Sequence, residues 1–470
     1  MASLMETLIR FAVEISFEDL PEEVIHESKL ILLDSIGCAL GGLSTDKGKI
    51  AVELARHLNG AGEATIIGSG DRVSCYGAAF ANGELIHALD YESDNHPVGH
   101  VVPYVLAAPL ALAEHKRASG KEVICAIAIA METSVRFGKA LPGGRAKQSG
   151  ETAVLPIRGY SWNIFGGTAA SGSILGLDMD KVANALGIAG VIAPMSARQK
   201  FHTTVPVTMS KHLMAGWVCG AEVITTLLAN MGYIGDTSVL EGESGFWRFS
   251  GYTQWKPGAI TEQLGQTWHF VEGTTYKLYP CCGVPNTALD CLIDIINKND
   301  VQPEDIKRIT VYLAPYYCDQ PIWQNREIGT QMDAQFSVIY NLSVAAHRVQ
   351  PGPEWQELDT IHNPSILALM NKISLEPHPE HEKVHQEDAT TRLSKVEVVA
   401  RGRQFSEERK YAKGTRKPEA FKLSDDELVE KFMHQASRVL PAHKVDKAID
   451  SILHLEVKDD ISELMNEIVI

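Results

Sequence analysis

The sequence lacks the features that mark disulfide-bonded, secreted and membrane-spanning proteins. None of its eight cysteines forms a Cys-x-x-Cys pair, and Cys281 and Cys282 are adjacent, which is poor geometry for a disulfide or a paired metal site. The N-terminus has no basic segment followed by an apolar run. The longest uncharged run, residues 159–177, contains five glycines and does not predict a membrane span. We therefore expect a cytoplasmic protein with buried, reduced thiols.

Positive charge and cofactor motifs are also scarce. Lysine and arginine number 43 against 59 acidic residues, and the resulting net charge of −16 argues against a nucleic-acid partner. It does not exclude an anionic small substrate, because a basic pocket can lie inside an acidic surface. Walker A, HExxH and GxSxG motifs are missing, and "GSGDRV" lacks the strand and helix of a dinucleotide site. We expect neither a metal nor an organic cofactor.

Small and apolar residues recur at helical spacing through the first part of the chain. The segment "PEEVIHESKLILLDSIGCALGG" (21–42) opens with proline and acids and closes on two glycines, which is typical of a helix. The segments 121–141, 178–197 and 214–233 show the same spacing. Because small residues let helices approach closely, we predict an all-α domain over residues 1–267.

The pattern changes after residue 267. The elements predicted beyond it are a helix (287–300), a strand (305–315), a hairpin that turns at residues 401–403 (393–414) and two further helices (422–440 and 445–455). A chain of 470 residues is long enough for two domains. The predicted architecture is mainly α: a helical domain, residues 1–267 plus 417–470, and a smaller inserted α+β lid domain, residues 268–416.

The stretch "HALDYESDNHPVGHVVP", which begins at His87, concentrates titratable groups. His87 and Asp90 are spaced to share one helix face, and the helix should end near residues 93–95 because Pro97 disfavours helix at His96. A histidine on a loop beside a carboxylate is a candidate general base. The alternative is a polar turn whose histidines only satisfy hydrogen bonds.

A second candidate is a basic segment, residues 196–216, that contains no acid. Its charged and titratable residues are Arg198, Lys200, His202, Lys211 and His212. In a protein of net charge −16, such a local positive region suits the recognition of carboxylates or phosphates. The alternative is a solvated basic loop.

A third candidate is "TTYKLYPCCGVPNTALDC" (274–291). Lys277 precedes a turn that contains Pro280, Gly283 and Pro285, near the predicted domain boundary, where ligand sites are common. The alternative is a hinge with an ordinary surface lysine.

Together these segments resemble the MmgE/PrpD family, which includes 2-methylcitrate dehydratase and cis-aconitate decarboxylase. The likeness covers nearly the whole chain, and its blocks follow the family order. They include "LILLDSIGCALGG", "ANGELIHALDYESD", "HPVGHVVPYVLAAPLALAE", "SKHLMAG", "YKLYPCCG" and "AQFSVIYNLSVA". Each block alone is a weak signal, but together they are specific.

The resemblance implies a helical domain with an inserted lid, usually as a homodimer, and an active site between the two without a metal or organic cofactor. Family substrates are small di- and tricarboxylates. The leading hypothesis is a hydro-lyase that acts on a citrate-like or alkylcitrate-like hydroxy acid. The alternatives are a decarboxylase or an epimerase on the same scaffold, and a non-catalytic member with a decayed site.

The resemblance also implies catalytic residues. Asp90 matches the family's helix-end aspartate, and His96 matches the histidine that transfers the proton, although His100 is a rival. Lys211 matches a lysine at a helix start, and Tyr340 falls near a family tyrosine in the lid. Either Tyr340 or His202 could protonate a leaving hydroxyl.

Five further residues are placed with the substrate: Lys277, Arg198, His202, His100 and Cys282. The sequence departs from the family pattern at two positions. Ser161 and Asn286 stand where many members have histidine. These departures could mark a branch with a different substrate or chemical outcome.

Overall fold

A computed structural model describes residues 3–58, 60–141, 146–148, 151–153, 159–252, 254–416 and 418–470. Helices dominate these ranges, which confirms the mainly α class. No helix within them has both the length and the apolar character needed to cross a bilayer.

The helices of the N-terminal part follow the predicted spacing. They are α1 (Leu4–Glu14), α2 (Glu22–Gly42), α3 (Asp46–Leu58), α4 (Cys75–Ile86), α5 (Val102–Val105), α6 (Ala107–Lys116), α7 (Gly120–Ala140), α8 (Asn163–Ile174), α9 (Met179–Ile192), α10 (Arg198–His202), α11 (Ala215–Asn230), α12 (Phe246–Phe249), α13 (Gly258–Thr261) and α14 (His269–Gly273). Local capping fixes their ends: Ser119 and Glu122 form a reciprocal capping box at the start of α7.

The remaining helices are shorter on average. They are α15 (Asn286–Asn299), α16 (Pro315–Asp319), α17 (Gln331–Phe336), α18 (Val338–Ala346), α19 (Leu358–Ile361), α20 (Pro364–Met370), α21 (His381–Glu387), α22 (Asp425–Ala436), α23 (Ala442–Leu453) and α24 (Ser462–Glu467). The helices predicted at 287–300, 422–440 and 445–455 are confirmed as α15, α22 and α23.

The strands form one four-stranded sheet and three short pairs. They are β1 (Ala64–Thr65), β2 (Arg72–Val73), β3 (Asp94–Asn95), β4 (Ala146–Gln148), β5 (Glu151–Ala153), β6 (Thr274–Thr275), β7 (Ile306–Leu313), β8 (Ile373–Pro377), β9 (Ser394–Ala400) and β10 (Arg403–Arg409). The sheet order is β10-β9-β7-β8, with β7 and β8 parallel. The predicted strand and hairpin are confirmed as β7 and β9–β10. The short pair β1–β2 corrects the prediction that residues 1–267 are all-α.

Two hydrophobic cores organise these elements. The first joins side chains from residues 5–276 with side chains from residues 423–468, so α22 packs against α2. The second contains side chains from residues 279–400, joined by Phe201 and Val207 of the N-terminal part. The predicted domain boundaries remain a prediction. The segment with Lys277 lies in sequence between the two cores.

Close packing of two helices brings two candidate segments together. At Gly83 of α4 an added Cβ would lie 3.0 Å from Cys219 Sγ and 3.3 Å from the backbone of Gly216 in α11. Any larger residue would force Cys219 or the Gly216 backbone to move by a few tenths of an ångström, so glycine suits this approach. Glu84 then accepts a hydrogen bond of 2.8 Å from the Gly216 backbone N–H. The chain after α4 and the chain before α11 consequently meet.

The end of α4 differs from the prediction. The helix stops at Ile86, not near residues 93–95, and the following loop leads into β3. Asp90 has a φ of 55°, in the left-handed region that ends a right-handed helix. His87 and Asp90 therefore do not share a helix face, although both are fully buried.

Candidate active site

The chain from the end of α4 through β3 is buried throughout and carries three acids, Asp90 and Glu92 in the loop and Asp94 at the start of β3. Aspartate is one of the few residues besides glycine that adopt left-handed backbone readily, so Asp90 suits the sharp turn. Buried carboxylates require compensating charges or hydrogen bonds. Other elements must supply them here.

Two lysines from distant segments neutralise Asp90. Lys277 Nζ lies 3.2 Å from Asp90 Oδ1 and donates to the Asp90 carbonyl oxygen at 2.9 Å. Lys211 Nζ lies 3.6 Å from Oδ1 and donates to the His87 carbonyl at 2.6 Å. Burial opposes charge on Asp90, but the two ammonium groups outweigh it and hold the pKa of Asp90 below its usual range. Asp90 is therefore an anion.

The two lysines differ in their titration. Burial lowers the pKa of Lys211 to about 8, although Asp90 opposes the shift. Burial acts on Lys277 in the same direction, but the three carboxylates of the loop outweigh it and raise the pKa of Lys277. Lys277 is thus a permanent cation, whereas Lys211 can gain or lose a proton near neutral pH.

Two histidines share the carboxylate of Glu92. Glu92 Oε1 lies 2.6 Å from His87 Nδ1 and 3.0 Å from His100 Nδ1. His100 Nδ1 is also 3.2 Å from Asp94 Oδ1, and His100 Nε2 is 3.6 Å from Asp90 Oδ1. An imidazolium at His100 would therefore meet three carboxylates. Burial, helped by Lys211, lowers the pKa of His87 to about 3, so His87 is neutral.

Aromatic rings enclose His100 on its other sides. Its ring stacks on His212, with centroids 5.0 Å apart, and meets Tyr160 edge-on at 5.5 Å. Burial and the neighbouring His100 lower the pKa of His212 well below its usual range. These neutral rings restrict the orientation of His100 and keep water away from it.

The basic segment supplies a second group of residues. The Arg198 guanidinium lies 5.2 Å from the Tyr160 ring centroid, and His202 Nδ1 lies 3.0 Å from the Tyr316 hydroxyl. Within the described ranges no carboxylate forms an ion pair with Arg198, and its titratable neighbours include tyrosines and the Cys282 thiol, which are neutral near pH 7. Such an arginine is available to an anionic ligand. The alternative of a solvated loop holds for Lys200, which is exposed.

His96 lies beside Lys277 but in a different setting from the one predicted. It lines a cavity of about 20 Å³ with Lys277 and Arg392, room for one water molecule. Arg392 Nη2 lies 3.8 Å from Asp94 Oδ2. Burial and the Arg392 charge lower the pKa of His96 to about 3.

Four predicted residues meet in one buried cluster: Asp90, Lys211, Lys277 and His100. The structure corrects the predicted contact between His96 and Asp90. No hydrogen bond or ion pair joins the two in the part of the chain that the structure describes. Asp90 contacts the two lysines, and the carboxylate that acts on His96 is Asp94.

Tyr340 also requires correction as an acid. It is fully buried in the second core, and its hydroxyl donates to the Trp355 carbonyl at 2.7 Å. Tyr316 was not predicted, but its hydroxyl contacts His202, one of the predicted substrate-binding residues. Cys282 is half-buried, and burial together with Asp90 raises the pKa of its thiol to about 12.

The two departures from the family pattern occupy ordinary positions. The Ser161 hydroxyl donates to the Pro194 carbonyl. Asn286 begins α15 and lines the cavity next to His96. With serine and asparagine at these two positions, the charged cluster still contains its cations, Lys211 and Lys277.

Several residues of the site were not predicted. Glu92 and Asp94 follow Asp90 at every second position, and that alternation of acids was a usable signal. Arg392 and Tyr316 gave no such signal. They lie far along the chain from the loop, and only tertiary folding brings them near it.

The cluster also contains a donor set of the kind that binds divalent metals. One donor atom each from His87, Asp90, Glu92 and His100 lies within 4.8 Å of the others. The ammonium groups of Lys211 and Lys277 already contact Asp90 and would repel a second cation there. The residues therefore fit a metal poorly while these ion pairs persist.

The chain is similar to known proteins over the residues that form both hydrophobic cores. Residues 6–257 match the MmgE/PrpD N-terminal domain, and residues 279–456 match the MmgE/PrpD C-terminal domain. Similar proteins include cis-aconitate decarboxylase of Aspergillus terreus, 26% identical over 97% of this chain and 94% of that protein. The cis-aconitate decarboxylase of Homo sapiens is 26% identical over 95% of this chain and 90% of that protein. The cis-aconitate decarboxylase of Mus musculus is 24% identical over 99% of this chain and 93% of that protein. The chain belongs to the MmgE/PrpD family.

Proposed function

We propose that the protein is a lyase that acts on a small citrate-like polycarboxylate by moving a proton at the carbon next to a carboxylate. The observation that carries the proposal is the convergence of Lys211 and Lys277 on a buried acid beside His100. Removing a proton from that carbon builds negative charge on the carboxylate. Preplaced cations in a dry site stabilise such charge far better than water does.

His100 is the better candidate for the base. If Glu92 and Asp94 accept from Nδ1, the lone pair of a neutral ring is on Nε2, and an imidazolium formed there faces three carboxylates. His96 instead faces Arg392 and Lys277, which disfavour its charged form. His96 is the alternative base, and in this scheme it donates a hydrogen bond to a substrate carboxylate.

Carboxylate recognition is assigned to arginines on two sides of the cluster. Arg198 has no carboxylate partner within the described ranges, and it lies near Tyr316 and Cys282. Arg392 reaches the cavity beside Lys277 from the chain segment just before β9. Planar guanidinium groups suit bidentate contacts with carboxylates. These positions support a substrate with more than one carboxylate.

The leading reaction is loss of water from a hydroxy-polycarboxylate, which needs an acid at the leaving oxygen. The Tyr316 hydroxyl and His202, 3.0 Å apart, are the candidates. The second candidate reaction is decarboxylation, which the names of the similar proteins favour. It uses the same charge stabilisation, but a proton is added to carbon after carbon dioxide leaves. Epimerisation and a decayed, non-catalytic site are the further alternatives.

An NMR turnover assay in D₂O tests the proposal. Citrate, 2-methylcitrate, longer alkylcitrates and cis-aconitate are each incubated with the wild type, His100→Ala and His96→Ala. An alkene formed from a hydroxy acid identifies a hydro-lyase, carbon dioxide with a deuterated product identifies a decarboxylase, and deuterium exchange without either identifies an epimerase. Loss of turnover in His100→Ala but not in His96→Ala is the expected pattern. No turnover of any acid would contradict the proposed function.

We infer that the protein forms a homodimer through one face of α11. Trp217 and Ile224 of α11 and Met231, the residue that follows the helix, are spaced seven residues apart, and Trp217 and Met231 are 51% and 80% exposed. Trp217→Glu combined with Met231→Glu should reduce the mass in light scattering from twice 51.4 kDa to that value. Leu358→Glu, at an exposed site outside the first core, is the control. An unchanged mass in the double variant would exclude this interface.

We also infer the cytoplasmic location expected from the sequence. All eight cysteines are free thiols, and seven of them are buried. Such cysteines suit a reducing compartment. Fractionation of the native cells, followed by thiol labelling of the denatured protein, tests this inference, and disulfide-linked protein would contradict it.

A further inference from the structure

We propose that Glu92 is a positioning residue that holds His87 and His100 in the Nδ1–H tautomer, which leaves the Nε2 lone pair of His100 free to accept a proton and that of His87 free to accept a hydrogen bond. The proposal rests on the proposed function of the buried cluster. It adds a residue that touches no substrate in that scheme and acts through the two histidines.

The geometry of Glu92 carries the inference. A carboxylate oxygen only accepts hydrogen bonds, so the contacts of Glu92 Oε1 at 2.6 Å and 3.0 Å require a proton on Nδ1 of both His87 and His100. The two rings meet edge-on with centroids 5.0 Å apart. Glu92 Oε1 therefore sets the tautomer of His87, and together with Asp94 it sets that of His100.

The other acids of the loop have different partners. Asp90 is engaged by Lys211 and Lys277, and Asp94 faces Arg392 as well as His100. The ion pairs of Glu92 in the described part of the chain are with His87 and His100. The Glu92 carboxylate thus contacts imidazole rings, as expected of a residue that orients bases. A residue that neutralises lysines would contact ammonium groups, as Asp90 does.

The Nε2 atom of His87 supports the same role for Glu92. His87 is fully buried, and its Nε2 has no hydrogen-bond partner within the described ranges. Buried polar atoms are rarely left unpaired unless a ligand, a water molecule or chemistry uses them. A fixed Nδ1–H tautomer presents this nitrogen as a lone pair that can accept a hydrogen bond.

Substituting Glu92 should damage turnover more than binding. In Glu92→Gln the amide can accept from one imidazole but presents N–H groups to the other, which favours the wrong tautomer. We expect kcat to fall roughly 10²–10⁴-fold, the range for a misplaced acid–base group, with KM within a few-fold of wild type. Glu92→Asp keeps the charge at a shorter reach and should recover part of kcat.

The experiment uses the full-length protein and a matched control. Glu114 is also a buried carboxylate, bound to the Thr65 backbone N–H at 2.7 Å and paired with Arg72 at 2.6 Å, and it contacts no histidine in the described ranges. Glu92→Gln, Glu92→Asp and Glu114→Gln are compared in kcat, KM and Tm on the acid turned over in the NMR panel. Glu114→Gln should lower Tm and leave kcat within about three-fold.

A second measurement needs no substrate. In protein labelled with ¹⁵N-histidine, the imidazole ¹⁵N shifts of His87 and His100, assigned by single His→Gln variants, should report the Nδ1–H tautomer and change in Glu92→Gln. Wild-type rings in the Nε2–H form would overturn the proposal, as would unchanged kcat in Glu92→Gln. If no acid is turned over, the proposed function fails, and the ¹⁵N shifts still decide the role of Glu92.

Discussion

Replacing Asp90 by asparagine removes the anion that two buried lysines share. Lys277 and Lys211 would keep their backbone carbonyl partners, at 2.9 Å and 2.6 Å, but would lose the carboxylate that they share. Asparagine has nearly the same size as aspartate and tolerates a φ of 55°, so the backbone should be preserved. The variant therefore isolates the loss of one negative charge.

The magnitude follows from the burial of all three groups. Asp90, Lys211 and Lys277 are each at most 1% exposed. Breaking a buried ion pair by removing one partner costs about 3–5 kcal/mol, because the remaining charge stays desolvated. With the unfolding entropy expected for a core of this size, Tm should fall by roughly 4–8 °C.

A double-mutant cycle measures the coupling directly. Lys277→Met removes the second charge, and the double variant should be less destabilised than the sum of the single variants by about 2–3 kcal/mol. Thermal and urea unfolding of the four proteins provide the free energies. Glu18→Gln, which breaks an exposed pair with Lys121, should leave Tm unchanged.

The pH dependence gives an independent check. The folded pKa of Asp90 is depressed, so its stabilisation is present above the ordinary value of 3.8 and is lost as pH falls through the lower folded value. The Tm difference between wild type and Asp90→Asn should persist from pH 5 to pH 7. Additive single effects, or a difference that disappears in this range, would refute the description of Asp90 as the shared anion.

Other residues of the site give further predictions. Because the pKa of Lys211 is about 8, kcat should fall above that pH, and Lys211→Arg should move this limb of the pH–rate profile upward. An unmoved limb would assign it to another group. Arg198→Gln should raise KM for a tricarboxylate at least ten-fold with a smaller change in kcat, and Arg198→Lys should recover only part of it. An unchanged KM would exclude Arg198 from binding. Tyr340→Phe should lower stability by about 1 kcal/mol through loss of its bond to Trp355 and leave kcat within three-fold, whereas Tyr316→Phe should reduce kcat in a dehydration. The reverse pattern would restore Tyr340 as the acid.

The sequence predicted those parts of the fold that depend on local interactions. The β9–β10 hairpin turns at Arg401 and Gly402, whose φ values are 50° and 73°, and glycine at a hairpin turn is a strong local signal. Helix α2 begins after Pro21 with two glutamates in its first turn, which are also local preferences. Such elements need no knowledge of distant residues.

The end of α4 could not be predicted in the same way. The spacing of His87 and Asp90 is compatible with helix, and no proline occurs between Ile86 and Pro97. The helix ends earlier because the loop gains contacts from residues 124 and 187 positions away, through Lys211 and Lys277. Tertiary ion pairs therefore decided a local conformation that propensity alone left open.

The charges of the cluster suggest how an acidic protein recognises an acid. Three carboxylates, Asp90, Glu92 and Asp94, face three cations supplied by Lys211, Lys277 and Arg392. A balanced cluster offers little net attraction to a substrate in its ground state. Affinity should then depend on an arginine without a carboxylate partner, as Arg198 is in the described ranges, while the lysines act on charge that appears during the reaction. Binding and catalysis would thus be assigned to different cations, and KM and kcat should respond separately to their replacement.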